Sequence, residues 1–195
     1  MSALRRERPC RPSCARIGRQ LLLCSLLVLP SAEGRAVTLA ELLAEPDLGP
    51  KRFAAHFSTF EYVFFERIQP AEQFLRTEQG DCDDYAALAD HVFRQRGVAT
   101  KLVHVRLVGR IAHVVCYVSP AGVYLDYNDR SYFFKVTRSR GSLRDIANQV
   151  ADSFDANWTT VSEFTYDYVS DRKRIVRTVV KAAPSENDSD REETN

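Results

Sequence analysis

The chain has no internal repeat and no long apolar run. Its most apolar stretch, residues 21–29, is about half the ~20 residues that a membrane-spanning helix needs. Strong charge of one sign is also missing: 27 basic residues stand against 26 acidic ones, a formal net charge of +1. The basic excess is concentrated in residues 1–35, where seven Arg and two Glu give +5, so residues 36–195 carry −4. A mildly acidic body has no electrostatic footprint for nucleic acid. Cysteine is scarce where it would count. Cys10, Cys14 and Cys24 lie near the start, leaving only Cys82 and Cys116 for the body. One pair is too few for a disulfide-stapled scaffold, and a domain of ~160 residues builds a core without staples. Cys10-x3-Cys14 has the look of half a metal site, but it sits among arginines with no second ligand pair. The 195 residues, 45% hydrophobic and 27% charged, exclude collagen-like, coiled-coil and wholly disordered chains. The length fits one domain with a leader or tail.

The start has the order of a secretory signal peptide: basic residues to Arg19, an apolar core from Leu21 to Leu29, then Pro30 and the small residues Ser31, Ala32, Gly34 and Ala36. Residues 1–36 are therefore expected to be a signal peptide, and the mature protein to be exported, periplasmic or secreted, with no stable membrane insertion after cleavage. Residues 182–195, rich in Ser, Asp, Glu and Asn, read as a disordered acidic tail. The folded domain is then 37–181.

Within that domain helices come first. Thr38-x-x-Glu41 is a capping box opening a short helix through Leu43. Residues 46–50 are a loop. Residues 53–68, dense in Phe and Tyr, are ambiguous between helix and strand, and their aromatic cluster at 57–65 reads as core. A short helix with Pro70 at its first position runs to Thr77 and is broken by Gln79-Gly80. A longer helix runs from Asp81 to Arg96, with Tyr85, Ala86, Leu88, Ala89, Val92 and Phe93 at helical spacing and Gly97 as its stop. The pattern then turns to strands: 101–108, 112–118, 123–127, 132–136, and after a Ser142-capped helix to Phe154, 164–168 and 174–180, with turns at Gly109-Arg110 and Ser119–Gly122. Helices followed by turn-linked strands predict an α+β fold with an antiparallel sheet.

Cys82 falls in the first turn of the long helix, where unpaired N–H groups and the helix dipole gather and favour a thiolate. A nucleophilic Cys needs a base and a group that orients the base. If the Ser119–Gly122 turn pairs Val118 with Val123, then His113 faces Asn128 and Val115 faces Asp126. His113, Asp126 and Asn128 share one sheet face, so either Asp126, diagonally, or Asn128, directly, reaches the imidazole. Cys116 falls on the opposite face, which argues against a Cys82–Cys116 bridge and for a core thiol. His104 reads as a satisfied strand histidine. Asp81, Asp83 and Asp84 crowd Cys82 with negative charge, which opposes a thiolate. Asp84 reads as helix-capping, three residues after Asp81; alternatively the carboxylates are hard oxygen ligands suited to calcium, at Asp81 and Asp83. Candidate oxyanion donors are the backbone N–H of Cys82 and the side chain of Gln79, with Gln69 and Gln73 competing.

Gly-Asp-Cys-Asp-Asp-Tyr-Ala at 80–86, His113 in Ala-His-Val-Val-Cys-Tyr-Val and Asp126 in Val-Tyr-Leu-Asp-Tyr resemble the transglutaminase-like superfamily, and the first string resembles in particular the bacterial transglutaminase-like cysteine proteinases. The resemblance covers residues 68–130. It implies a papain-like fold, with Cys82 as nucleophile, His113 as general base and acid, and Asp126 as the orienter of His113. For the bacterial proteinase branch it implies calcium at the acidic residues flanking the Cys, here Asp81 and Asp83. No other cofactor is required. The expected function is a cysteine-dependent amide hydrolase or acyl transferase acting on protein or peptide through a thioester. The chain lacks the extra β-domains of large cross-linking enzymes, which favours hydrolysis. The alternative is a non-catalytic periplasmic module that binds protein or cell-wall polymer on the same fold.

Overall fold

The computed structural model describes residues 36–128 and 135–182. The leader expected over 1–36 lies outside them apart from Ala36, and so does the expected tail apart from Ala182. Two short helices open the described chain: α1 (Leu39–Ala44), started by the Thr38–Glu41 capping box, and α2 (Pro50–Ala55). The aromatic stretch after them resolves into a turn and the two-residue strand β1 (Glu61–Tyr62). Helix α3 (Ala71–Thr77) follows, with Pro70 as its N-cap rather than its first residue. What ends α3 is Glu78 in the left-handed region, φ 52°. Gln79-Gly80, expected only as a break, forms β2 (Gln79–Gly80), paired in parallel with β1.

Helix α4 (Cys82–Gln95) is the long helix expected from spacing, and Gly97 after it has a positive φ of 73°. Strands β3 (Thr100–Leu107), β4 (His113–Val118), β5 (Val123–Asp126) and β6 (Lys135–Arg138) come next, then α5 (Leu143–Ser153), capped by Ser142. The strand expected at 132–136 is thus found at 135–138, and residues 131–134 lie outside the described ones. Strands β7 (Trp158–Asp167) and β8 (Arg172–Val180) close the fold. Six strands form one sheet in the order β6-β5-β4-β3-β7-β8, every neighbouring pair antiparallel. This is the expected α+β architecture with an antiparallel sheet.

The sheet is covered on both faces, and alternation along each strand sorts its residues. Leu102, Val114, Cys116, Val118 and Leu125 join the core under α4, with Leu88, Val92 and Phe93 from that helix. Val103, Val105, Val115, Tyr117 and Tyr124 pack on the other face against Ile146, Ala147 and Val150 of α5. Strand β4, between both layers, is buried at every position. Phe53, Phe57, Phe60 and Phe74 continue the α4-side core, with Phe57 and Phe74 stacked at 5.8 Å between ring centroids. Of the aromatic cluster read as core, Phe64 is the exception: it is 62% exposed.

Gly80 links this core to the start of α4. A Cβ there would lie 2.5 Å from the Phe74 ring and 2.8 Å from Asp84 Oδ2. Phe74 is locked in the core, and the Asp84 carboxylate is held by hydrogen bonds, so neither gives way cheaply. Gly80→Ala is expected to destabilise the protein by about 1–3 kcal/mol, the range for overpacking a well-packed site. Chemical denaturation measures it, and an unchanged midpoint would contradict this packing.

Candidate active site

Two carboxylates build the first turn of α4. Asp81 is the N-cap, in extended backbone. Its Oδ1 accepts from the Asp83 N–H at 2.9 Å, and its Oδ2 accepts from the Phe65 N–H at 3.0 Å. Asp84 reaches back, accepting from the Asp81 N–H at 3.1 Å, the Gln69 N–H at 2.7 Å and Gln69 Nε2 at 2.9 Å. The pair is a capping box, and it also ties the 65–69 segment to the helix. These groups are buried. Burial is the largest influence on Asp81 and, with repulsion from Asp84 and Asp83, outweighs the Phe65 and Asp83 N–H bonds to push its carboxyl up to about 6. The acidic crowd around Cys82 is therefore mostly backbone scaffolding.

Cys82 is the first residue of α4, His113 the first of β4 and Asp126 the last of β5. All three are buried, with Cys82 6% and Asp126 0% exposed. His113 Nε2 donates to Asp126 Oδ1 at 2.6 Å, and the ring lies near enough to Cys82 for the sulfur to act on its charge, while the thiol itself donates to Asp83 Oδ1 at 3.6 Å. With Nε2 committed to Asp126, the nitrogen left for sulfur is Nδ1. Phe154 packs its ring 4.8 Å from the imidazole and fixes its plane from the side. Burial opposes a charge on His113. The Asp126 carboxylate and the Cys82 sulfur outweigh it and hold the imidazole well above its usual range. The fold thus brings a thiol, an imidazole and a carboxylate to one place.

The β4–β5 ladder has the register worked out from the turn: Cys116 opposite Leu125, Tyr117 opposite Tyr124, Val118 opposite Val123. Asp126 is then the diagonal neighbour of His113, and it is Asp126 that makes the short contact. Asn128 Nδ2 instead donates to the same Asp126 oxygen at 3.5 Å, a long contact. Cys116 is buried in the α4-side core, both cysteines are free, and burial, then Asp90, push the Cys116 thiol up.

A cavity of about 880 Å³ opens onto Cys82 and His113, with Asp81, Asp83, His104 and Asn128 also in its wall. Gln79 is not brought there: its amide donates to Glu61 on the neighbouring strand at 2.9 Å. Gln69 is held by Asp84 and by the Gln79 carbonyl, and Gln73 donates to Gln69. None of the three glutamines faces the sulfur. Among the lining residues that were not anticipated are the exposed Phe64 and the half-buried His104.

One ligand atom each from Asp81, Cys82 and Asp83 lie within 4.8 Å of one another. Calcium takes six to eight oxygens, so Asp81 and Asp83 would anchor a site completed by backbone oxygens and water. The donor chemistry fits: the Asp83 side chain is only half-buried, its carboxylate accepts from Cys82 Sγ at 3.6 Å, and repulsion from Asp84 and Asp83, which a cation would relieve, adds to the burial that raises Asp81. Among the described residues no helix is long and apolar enough to cross a membrane.

Comparison with known proteins finds a family model and solved structures that resemble this chain. The model of the transglutaminase-like superfamily matches residues 49–129, which contain every member of the Cys82, His113 and Asp126 set. No curated protein matches the chain. Among solved structures, Legionella pneumophila LapG (EGTA-treated) is similar with 15% identity and a TM-score of 0.43, over 71% of this chain and 76% of that one. Over residues 49–129 this chain is similar to the transglutaminase-like superfamily.

Proposed function

We propose that the protein is an exported cysteine-dependent amide hydrolase or acyl transferase acting on protein or peptide substrates. The observation that carries the reading is the His113 ring, bonded to Asp126 at 2.6 Å and set beside Cys82 in the wall of one open cavity. Cys82 first gives its proton to His113 Nδ1, where Asp126 helps to hold it, and Sγ then attacks the amide carbonyl carbon. The tetrahedral adduct collapses, the C–N bond breaks, and His113 returns the proton to the leaving amine. A thioester on Cys82 remains. Water activated by His113 then hydrolyses it, or an amine takes the acyl group. Asp126 fixes the ring and steadies its positive charge throughout. Export rests on the basic-then-apolar order of residues 1–36. Calcium at Asp81 and Asp83 belongs to the same proposal as a brace for the helix start, and no chemical step runs through it.

The triad is tested by turnover. Cys82→Ala and His113→Ala are expected to lose comparable, near-complete activity, because nucleophile and base act as one unit. Asp126→Ala loses less and Asn128→Ala least. Limiting iodoacetamide, read by mass spectrometry, should label Cys82 and spare the buried Cys116. Full activity in His113→Ala, or a heavier loss in Asn128→Ala than in Asp126→Ala, would sink the assignment.

Calcium is tested by melting. Added Ca²⁺ should raise Tm and a chelator should reverse the rise. Asp83→Ala should abolish the response while keeping the Asp81 cap. A Tm indifferent to both additions removes calcium from the account.

A further inference from the structure

Acyl transfer at Cys82 puts negative charge on the substrate carbonyl oxygen, and an enzyme of this kind aims hydrogen-bond donors at that oxygen. One donor is ready. The Cys82 N–H, first of α4, makes no backbone or side-chain hydrogen bond to a described residue, whereas the Asp81 and Asp83 N–H groups are committed to Asp84 and Asp81. With the glutamines turned elsewhere, the second donor must come from another part of the cavity wall. His113 is held by Asp126, and Asn128 leans on the same carboxylate. Arg110 lies on the exposed turn after β3. His104 remains.

His104 pairs with Val114, and Val114 belongs to the α4-side core that includes Cys82. Cross-strand partners share a face, so His104 is on the α4 side of the sheet. His113 pairs with Val105, which faces α5. The two imidazoles therefore reach one cavity from opposite faces of the sheet. His104 is half-buried and makes no hydrogen bond or ion pair with any described residue. Burial first, then Lys173 and Arg106, hold its pKa at about 4 against the pull of Asp83, so at neutral pH the ring is uncharged and keeps one N–H to give.

We infer that His104 donates its ring N–H to the carbonyl oxygen of the group being transferred, completing with the Cys82 N–H the pocket for the oxyanion. The inference rests on the acyl-transfer reading above. As the S–C bond forms, the carbonyl π pair moves onto oxygen and the His104 N–H···O contact shortens without proton transfer. When the C=O bond reforms, the leaving group departs.

The test compares two reactions of Cys82 in the full chain. p-Nitrophenyl acetate acylates the sulfur through a tetrahedral oxyanion and releases p-nitrophenolate; iodoacetamide alkylates it by displacing iodide, with no oxyanion. His104→Ala should slow p-nitrophenolate release on the order of 100-fold, the effect of removing one such donor. Alkylation should stay near the wild-type rate. His104→Leu, which keeps the wall packed, should behave like the Ala variant, and His104→Gln, which keeps an N–H, should recover part of the loss. Equal loss in both reactions would make His104 a group acting on the thiol and overturn the inference. So would unimpaired acylation in both His104→Ala and His104→Leu, or no recovery in His104→Gln. Wild type that alkylates at Cys82 but is never acylated defeats the acyl-transfer reading itself, a result distinct from failure at His104 alone.

Discussion

A buried carboxylate at the end of β5 holds a buried imidazole at the start of β4, and the geometry of the candidate site follows from that contact. The Asp126–His113 distance is 2.6 Å and neither group is open to solvent. Placing such a pair in the interior carries a desolvation cost that its mutual attraction offsets only with close geometry, so it is poor evidence of stabilisation. Losing one partner is worse, costing about 3–5 kcal/mol, because the other charge is left buried alone. The pair therefore constrains: β4 and β5 cannot slip register without separating it, since a one-residue slip of either strand would send its side chain to the other face from its partner's. The tight Ser119–Gly122 turn, with Gly122 at φ 62°, sets that register from the far end of the hairpin.

The position of Cys82 depends on a second, independent device. Asp81 and Asp84 close a capping box at the start of α4 and extend it to Phe65 and Gln69, which positions the segment along the cavity. An N-cap of this kind contributes about 1 kcal/mol. Its larger effect here is geometric, since it fixes where the helix begins and hence where Cys82 stands. Gly80 must be glycine for the same reason: Phe74 and Asp84 fill the place of a side chain. The acidic residues that looked hostile to an anionic sulfur are mainly those whose oxygens are bonded to backbone amides.

Much of this was legible in the sequence because it is local. The α4 cap and its stop, the β4–β5 register and the opposed faces of His113 and Cys116 follow from turn chemistry and strand alternation. The superfamily resemblance rested on the same short strings. What could not be read was set by long-range packing. Gln79-Gly80 becomes a strand because β1, eighteen residues earlier, pairs with it. Strand β7 begins at Trp158 rather than near Phe164 because β3 pairs along its polar first half. His104 was read as a satisfied strand histidine, because a single strand position carries no sign of the cavity beside it; pairing opposite Val114 sets it on the face of α4. Phe64 was counted as core on composition, and a single strand-flanking aromatic gives no periodic signal that it faces a cavity.

The central claim is electrostatic: Asp126 holds His113 as a base poised against Cys82. Nuclear magnetic resonance titration of the His113 ring, in wild type and in Asp126→Asn, tests it most directly. The account predicts that the wild-type ring keeps its proton well above the ordinary histidine value of 6.5. In Asp126→Asn, where burial is no longer opposed by that carboxylate, the titration should move sharply downward. A wild-type His113 that titrates near the ordinary value, unchanged by Asp126→Asn, would contradict it.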